Sequence, residues 1–221
     1  MNTEIFYKKP LLVIYVPGYL SGEDKQKEVK DKLEQLYPDS PITIFNWDSV
    51  ASYSMAMHNS LSAAGDLIQY LKDLPCGNNI VLIGHSLGAL VVYNAMRYIP
   101  FNANYGAKQV ILLGAALASH SRLEHICEVT EYPVINVINK DDIILNTLFS
   151  SISNTSALGS RGSYCKHNNN YVELEILQKE SNIGQVDSVK EFANQLLDVT
   201  GHSASRVYLD GLINNNYKIN S

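Results

Sequence analysis

A doubly wound α/β domain, built on a mostly parallel sheet, is the fold class this sequence predicts. Short apolar runs alternate with helical patterns along the chain. The runs are continuous rather than two-fold alternations, as expected of strands covered on both faces by crossover helices. The chain has 221 residues, 46% of them hydrophobic and 18% charged. That is enough for one domain, 1–221, with its own core and no need of disulfide or metal support.

"LLVIYV" (Leu11–Val16) is β-rich and stopped by Pro17-Gly18. A helix follows, with acidic Glu23 and Asp24 at its start and Val29, Leu33 and Leu36 at helical spacing. "ITIFNW" reads as strand. The next helix carries apolar Leu61, Ala64, Leu67, Ile68 and Leu71. "IVLIG" is strand and "LGALVVYNAMRYI" helix; "QVILLG" and "PVINVIN" are strands, "YVELEIL" a further strand, and a last helix is expected after His202. Ser150–Asn170 is rich in Ser, Asn and Gly and is expected to be a loop or small lid at 150–170.

The net charge of −5 argues against nucleic-acid or membrane-surface binding driven by positive charge. Cys76, Cys127 and Cys165 are an odd number without paired spacing and read as reduced thiols. The apolar stretch before Pro17 is six residues, shorter than the ~7–15 of a signal h-region. No run approaches the ~20 apolar residues of a membrane span. These points imply a cytoplasmic protein with no integral membrane segment and no nucleic-acid partner.

"IVLIGHSLGALVV" places Gly84, Ser86 and Gly88 where strand turns to helix. A nucleophilic serine needs its hydroxyl exposed above the sheet, and a sharp strand-to-helix turn supplies this at the cost of backbone strain. Small residues two places to either side avoid a clash. The helix that begins there presents free N–H groups and a positive end to a developing anion.

Such a serine needs a base, and the base needs a carboxylate, in the chain order Ser, acid, His. Asp141 and Asp142 follow the strand "PVINVIN", and position alone does not choose between them. His58 precedes the serine. His85 lies inside the turn, and its side chain is expected to point away from the pocket as packing. His120 and His125 precede the acid. Of the remaining two, His167 comes before "YVELEIL" and His202 after it, and the order favours His202. The second oxyanion donor is expected in the loop after the first sheet strand, "VPGYL", giving the Tyr19 N–H alongside that of Leu87.

With these motifs in place the chain resembles the α/β-hydrolase superfamily. Within it, the chain is similar to the hydrolase domain of the transmembrane and coiled-coil domain protein family. The similarity runs through "VPGYLSGEDKQ", "FNWDS", "VLIGHSLGALVVY", "VILLGAALAS", "NVINKDDIILNTLF" and "VTGHSAS". It implies an α/β-hydrolase sheet and selects Asp142 and His202. The chain departs from it at Ile143, where an aromatic is usual, and at Ala204 and Ser205, where an aromatic after the histidine is missing.

The expected activity is that of a serine hydrolase acting on a small ester or acyl-lipid substrate, with Ser86, Asp142 and His202 as triad and no cofactor or metal. An inactive hydrolase-fold binding protein and an acyltransferase using the same triad are the alternatives. A short chain leaves little room for a cap, so an open site for short-chain esters is expected.

Overall fold

The computed structural model describes residues 5–49, 52–75, 77, 79–164, 170–177 and 202–220. Seven strands form one sheet: β1 (Leu12–Val16), β2 (Ile42–Ile44), β3 (Ile80–His85), β4 (Gln109–Leu113), β5 (Val134–Ile138), β6 (Tyr171–Ile176) and β7 (Tyr217–Asn220). Their order is β2-β1-β3-β4-β5-β6-β7. The first six run parallel and β7 is antiparallel to β6. This is a doubly wound, mostly parallel α/β sheet.

Period-two alternation of the strands sorts their side chains into two cores. On β1, Ile14 and Val16 face one side, with β3 Leu82 and helices α2 (Tyr53–Asp73) and α3 (Leu87–Met96). Val13 and Tyr15 face the other, with Val29 and Leu33 of α1 (Glu23–Leu36) and the C-terminal helical residues Val207 to Leu212. Both faces are apolar, so β3, β4 and β5 are buried along their whole length. That is why their sequences read as unbroken apolar runs. Helix α2 starts where the Ser52 hydroxyl accepts the Met55 N–H. It buries Ala56, Ser60, Ala63, Ala64, Leu67 and Leu71. Leu61, expected on that stripe, is exposed, while Ala63 and Ala64 are buried in the core shared with α3.

After β4 a short helix α4 (Glu124–Val129) leads to β5. A π-helical turn, Leu145–Phe149, then runs into α5 (Ser150–Ser153), followed by α6 (Leu158–Arg161). The described part of the expected lid is not a cover. Ala157, Leu158, Gly159 and Ser160 are buried, and Gly159 exchanges backbone hydrogen bonds with Ala115 and Asn139 at the ends of β4 and β5. Residues 165–169, with His167, lie outside the described residues, as does Cys76.

Helical backbone does follow His202: a π-helical segment, Ala204–Leu209, continues as α7 (Asp210–Ile213). The strand β7 beyond it was not expected. "YKIN" is short and polar; it pairs antiparallel with β6 through the backbone, and Glu175 of β6 contacts Lys218 at 3.1 Å and accepts from Asn220 at 3.2 Å. Thus, among the described residues, His202 follows the last parallel strand but not the last strand.

Gly88 is where α3 meets β1. A Cβ there would lie 2.1 Å from the Val16 carbonyl oxygen and 2.5 Å from that of Pro17. Gly84, across the turn, would clash with Ala89 Cα at 2.6 Å. Each glycine therefore admits backbone rather than a side chain. Gly88→Ala is expected to cost about 2–3 kcal/mol by forcing α3 off β1. Urea unfolding checks this, and a loss below about 0.5 kcal/mol would contradict the close approach.

Candidate active site

Ser86 stands between β3 and α3 with φ 52° and ψ −121°, a left-handed conformation that few non-glycine residues adopt. Such a conformation costs about 1–3 kcal/mol and persists only where the surroundings over-determine it. Here the Ser86 N–H donates to Leu113 O at 3.0 Å. Its carbonyl accepts from Ala89 and Ala116 N–H, both at 3.1 Å. The loop after β4 thus clamps the turn from the side opposite β1.

The structure brings together Ser86, His202 and Asp142. His202 Nε2 lies 2.9 Å from Ser86 Oγ, and His202 Nδ1 lies 2.7 Å from Asp142 Oδ2. All three are buried, Asp142 at 0% exposure. Its Oδ1 accepts the Leu145 N–H at 2.9 Å, and Oδ2 also accepts the Tyr208 hydroxyl at 2.7 Å. A carboxylate out of water requires such donors. With Asp142 an acceptor, Nδ1 of His202 carries the proton and Nε2 offers its lone pair to the serine hydroxyl. Asp141 is exposed, its backbone N–H turned to the Asn139 side chain.

His85 packs in the interior, as expected from the sequence, but it does not point away from the pocket. It is buried and lines the same cavity as Ser86. Its Nε2 lies 3.0 Å from the carbonyl oxygen of His202, and its ring centre is 5.0 Å from that of His202 and 5.9 Å from that of Tyr208. β3 ends at this residue, and the turn at Ser86 redirects the chain so that the preceding ring meets the 202–208 segment. Burial pushes the His85 pKa well below the ordinary histidine value; the neighbouring His202, and then Lys25, push the same way, against the hydrogen bond to the His202 carbonyl.

Gly18 lies against the nucleophile. A Cβ there would be 2.8 Å from Ser86 Cβ and 3.0 Å from His85 Nδ1. Trp47 pins this loop: its indole N–H donates to the Pro17 carbonyl at 2.8 Å. Tyr19 lines the cavity, with its ring edge-on to Tyr53 at 5.6 Å, and Leu87 is the first residue of α3. The cavity holds about 380 Å³. Its apolar wall includes Leu20, Val29, Tyr53, Leu145 and Leu148, so the π-helical turn after Asp142, not segment 150–170, forms the flank. One side is charged, where Arg206 pairs with Glu28 at 3.1 Å near Lys25.

The remaining candidates stand apart. His58 is on α2, and His125 bonds the Ile99 carbonyl at 2.8 Å. Cys127 is a buried free thiol whose pKa is pushed up to about 12, first by burial and then by Glu124 and Glu128, so it is no competing nucleophile. Among the described residues no three histidine, cysteine, aspartate or glutamate side chains group as metal ligands, and no helix is long and apolar enough to cross a membrane. Sequence reasoning missed Tyr208 and the roles of His85 and Trp47. For Tyr208 the only hint was the aromatic expected soon after the histidine. Ala204 and Ser205 lack it, and Tyr208 brings an aromatic to the triad further along the same helical segment.

A family model, that of DUF726, described as "Protein of unknown function", matches residues 41–173, more than half of the chain. The chain belongs to the DUF726 family. The match spans Ser86 and Asp142 and ends before His202. No curated protein matches this DUF726 chain.

Solved structures similar to it include an acetylxylan esterase, 17% identical over 58% of this chain and 70% of that one, with a TM-score of 0.38. A second is an extracellular alpha/beta-hydrolase from a Paenibacillus species, 18% identical over 52% of this chain, with a TM-score of 0.36. This chain spans 43% of that protein. A third is a cutinase-like protein from Cryptococcus sp., 15% identical over 73% of both chains, with a TM-score of 0.41.

The lowered pKa of His85 has a stability consequence. The unfolded chain takes up a proton near the ordinary value of about 6.5 while the folded state resists it, so stability falls as pH drops below about 6.5. The slope is up to about 1.4 kcal/mol per pH unit until the folded pKa is reached. His85→Gln is expected to lose less stability than the unsubstituted protein between pH 7 and 5 in urea titrations. Equal losses would contradict a neutral, buried His85.

Proposed function

We propose that this DUF726 protein is a serine hydrolase that cleaves a carboxylic ester or thioester through an acyl-enzyme intermediate. One observation carries the proposal: at a strained strand-to-helix turn, Ser86 Oγ, His202 and Asp142 form a chain of hydrogen bonds of 2.9 and 2.7 Å opening on an apolar cavity. The reading extends to kinship with the hydrolase domain of the transmembrane and coiled-coil domain family, and to a cytoplasmic location, supported by the unpaired thiol of Cys127.

In this mechanism Ser86 Oγ attacks the substrate carbonyl while its proton passes to His202 Nε2. The tetrahedral oxyanion is stabilised by the Tyr19 and Leu87 N–H groups and by the N-terminus of α3. The His202 imidazolium, held by Asp142, returns the proton to the departing alkoxide or thiolate, leaving acyl-Ser86. Water, deprotonated by His202, attacks the acyl carbon and releases the acid, and Ser86 regains its proton. Asp142 lies within hydrogen-bond reach of the Leu145 N–H, His202 Nδ1 and the Tyr208 hydroxyl, and these contacts hold it against the imidazole through both half-reactions. The cavity volume of 380 Å³ lies at the lower end of the range for small-ligand pockets and suits a small acyl group.

Hydrolysis of p-nitrophenyl acetate by single variants tests the assignment. Ser86→Ala is expected to lower kcat by about 10⁴-fold or more, and His202→Ala nearly as much. Asp142→Asn should cost about 10²–10⁴-fold by presenting the wrong partner to Nδ1, while Asp141→Asn stays within about three-fold. An active Ser86→Ala variant would end the reading. A dead Asp141→Asn beside a live Asp142→Asn would transfer the acid's role to Asp141.

A further inference from the structure

We infer that His85 is a positioning residue for the base, and that the Nε2–H it donates to the His202 carbonyl sets the distance between nucleophile and base. This rests on the serine-hydrolase reading of the same site.

The direction of the bond follows from chemistry. A carbonyl oxygen only accepts, so the 3.0 Å contact requires a proton on His85 Nε2. His85 therefore holds the Nε2–H tautomer when neutral. That link joins residues 117 apart in sequence, yet it is one peptide unit from the nucleophile at one end and within the base at the other. Asp142 and Ser86 hold the His202 ring, whereas His85 holds its main chain. Backbone there is not fixed by a helix, because the helical segment begins only after Ser203, which is itself extended. Without the His85 contact, the His202 main chain loses the described hydrogen bond that registers it on β3.

His85 also touches the third part of the machinery. Its Nδ1 is 3.0 Å from where a Cβ on Gly18 would be, so the ring is wedged between the base and the proposed oxyanion loop. One side chain thus contacts the base, adjoins the nucleophile and packs on the loop. Its lack of charge matters as well. When Ser86 attacks, His202 becomes a cation, and a second cation 5.0 Å away would oppose that step. A neutral ring with a single donor supplies the anchor without the repulsion.

The size and chemistry of the replacement separate this role from simple packing. Glutamine places its amide nitrogen where Nε2 stands and can donate to the same carbonyl. Asparagine is polar but too short to reach it, and leucine has no donor. With p-nitrophenyl acetate, His85→Leu and His85→Asn are expected to lower kcat about 10–100-fold at nearly unchanged KM. His85→Gln is expected to recover most of that loss. Thermal midpoints measured in parallel distinguish a folding defect, and if the leucine variant does not fold, the asparagine and glutamine pair still decides.

Wild-type kcat in the asparagine variant, or equal kcat in the asparagine and glutamine variants, would overturn the inference. Failure of the unsubstituted protein to hydrolyse the ester or react with a fluorophosphonate would instead overturn the hydrolase reading beneath it.

Discussion

The buried carboxylate of Asp142 is the constraint on which the site depends. At 0% exposure it has no water to solvate it, and an ion moved inside without partners is strongly destabilising. Three donors from separate parts of the chain meet it: the Leu145 N–H, His202 Nδ1 and the Tyr208 hydroxyl. The first fixes the start of the π-helical turn that forms the cavity flank. The other two fix the segment that carries His202. Folding the C-terminal segment against β5 and satisfying that charge are thus one event, and the orientation of His202 towards Ser86 results from it.

The sheet supplies the other half of the geometry. β1, β3, β4 and β5 end side by side, so Gly18, Ser86, Ala116 and Asp142 all emerge on one edge, where ligands bind in open α/β sheets. Two close contacts set the spacing there. Gly88 lets α3 sit on the end of β1, and Gly18 lets the loop after β1 lie on Ser86 and His85. Trp47, beyond the edge strand β2, closes that loop with its bond to Pro17. The strained turn at Ser86 is held because neighbours on both sides leave it no other course.

Much of this was legible in the sequence because it is local. Continuous apolar runs mark strands buried on both faces, and the glycines around Ser86 mark a turn that only small residues permit. The order serine, acid, histidine narrowed the partners to a few residues. Asp141 and Asp142 were not separable by position, and the choice of Asp142 rested on the family resemblance and on the apolar run Ile143–Leu145 after it; in the structure the second is buried and the first exposed. What was not legible depends on side chains meeting across long stretches of chain. Tyr208 reaches Asp142 over 66 residues, His85 reaches His202 over 117, and Trp47 reaches Pro17 over 30. No spacing rule encodes those meetings. β7 escaped notice because "YKIN" has no apolar pattern: it pairs antiparallel with β6 through the backbone, with Glu175 contacting Lys218 and Asn220. The Ser- and Asn-rich composition of 150–170 suggested a cover, but Leu158 buries its side chain in the core and Gly159, with no side chain, packs its backbone against Gly114 and Ala115 at the end of β4.

The central claim is that the hydrogen-bonded chain from Asp142 through His202 makes Ser86 a nucleophile. Its most direct test is to treat the folded protein with a fluorophosphonate and locate the adduct by peptide mass spectrometry. A single adduct on Ser86, absent when the protein is first unfolded in urea, is the expected result. An adduct on another residue, or none under conditions that label a known serine esterase, would contradict it.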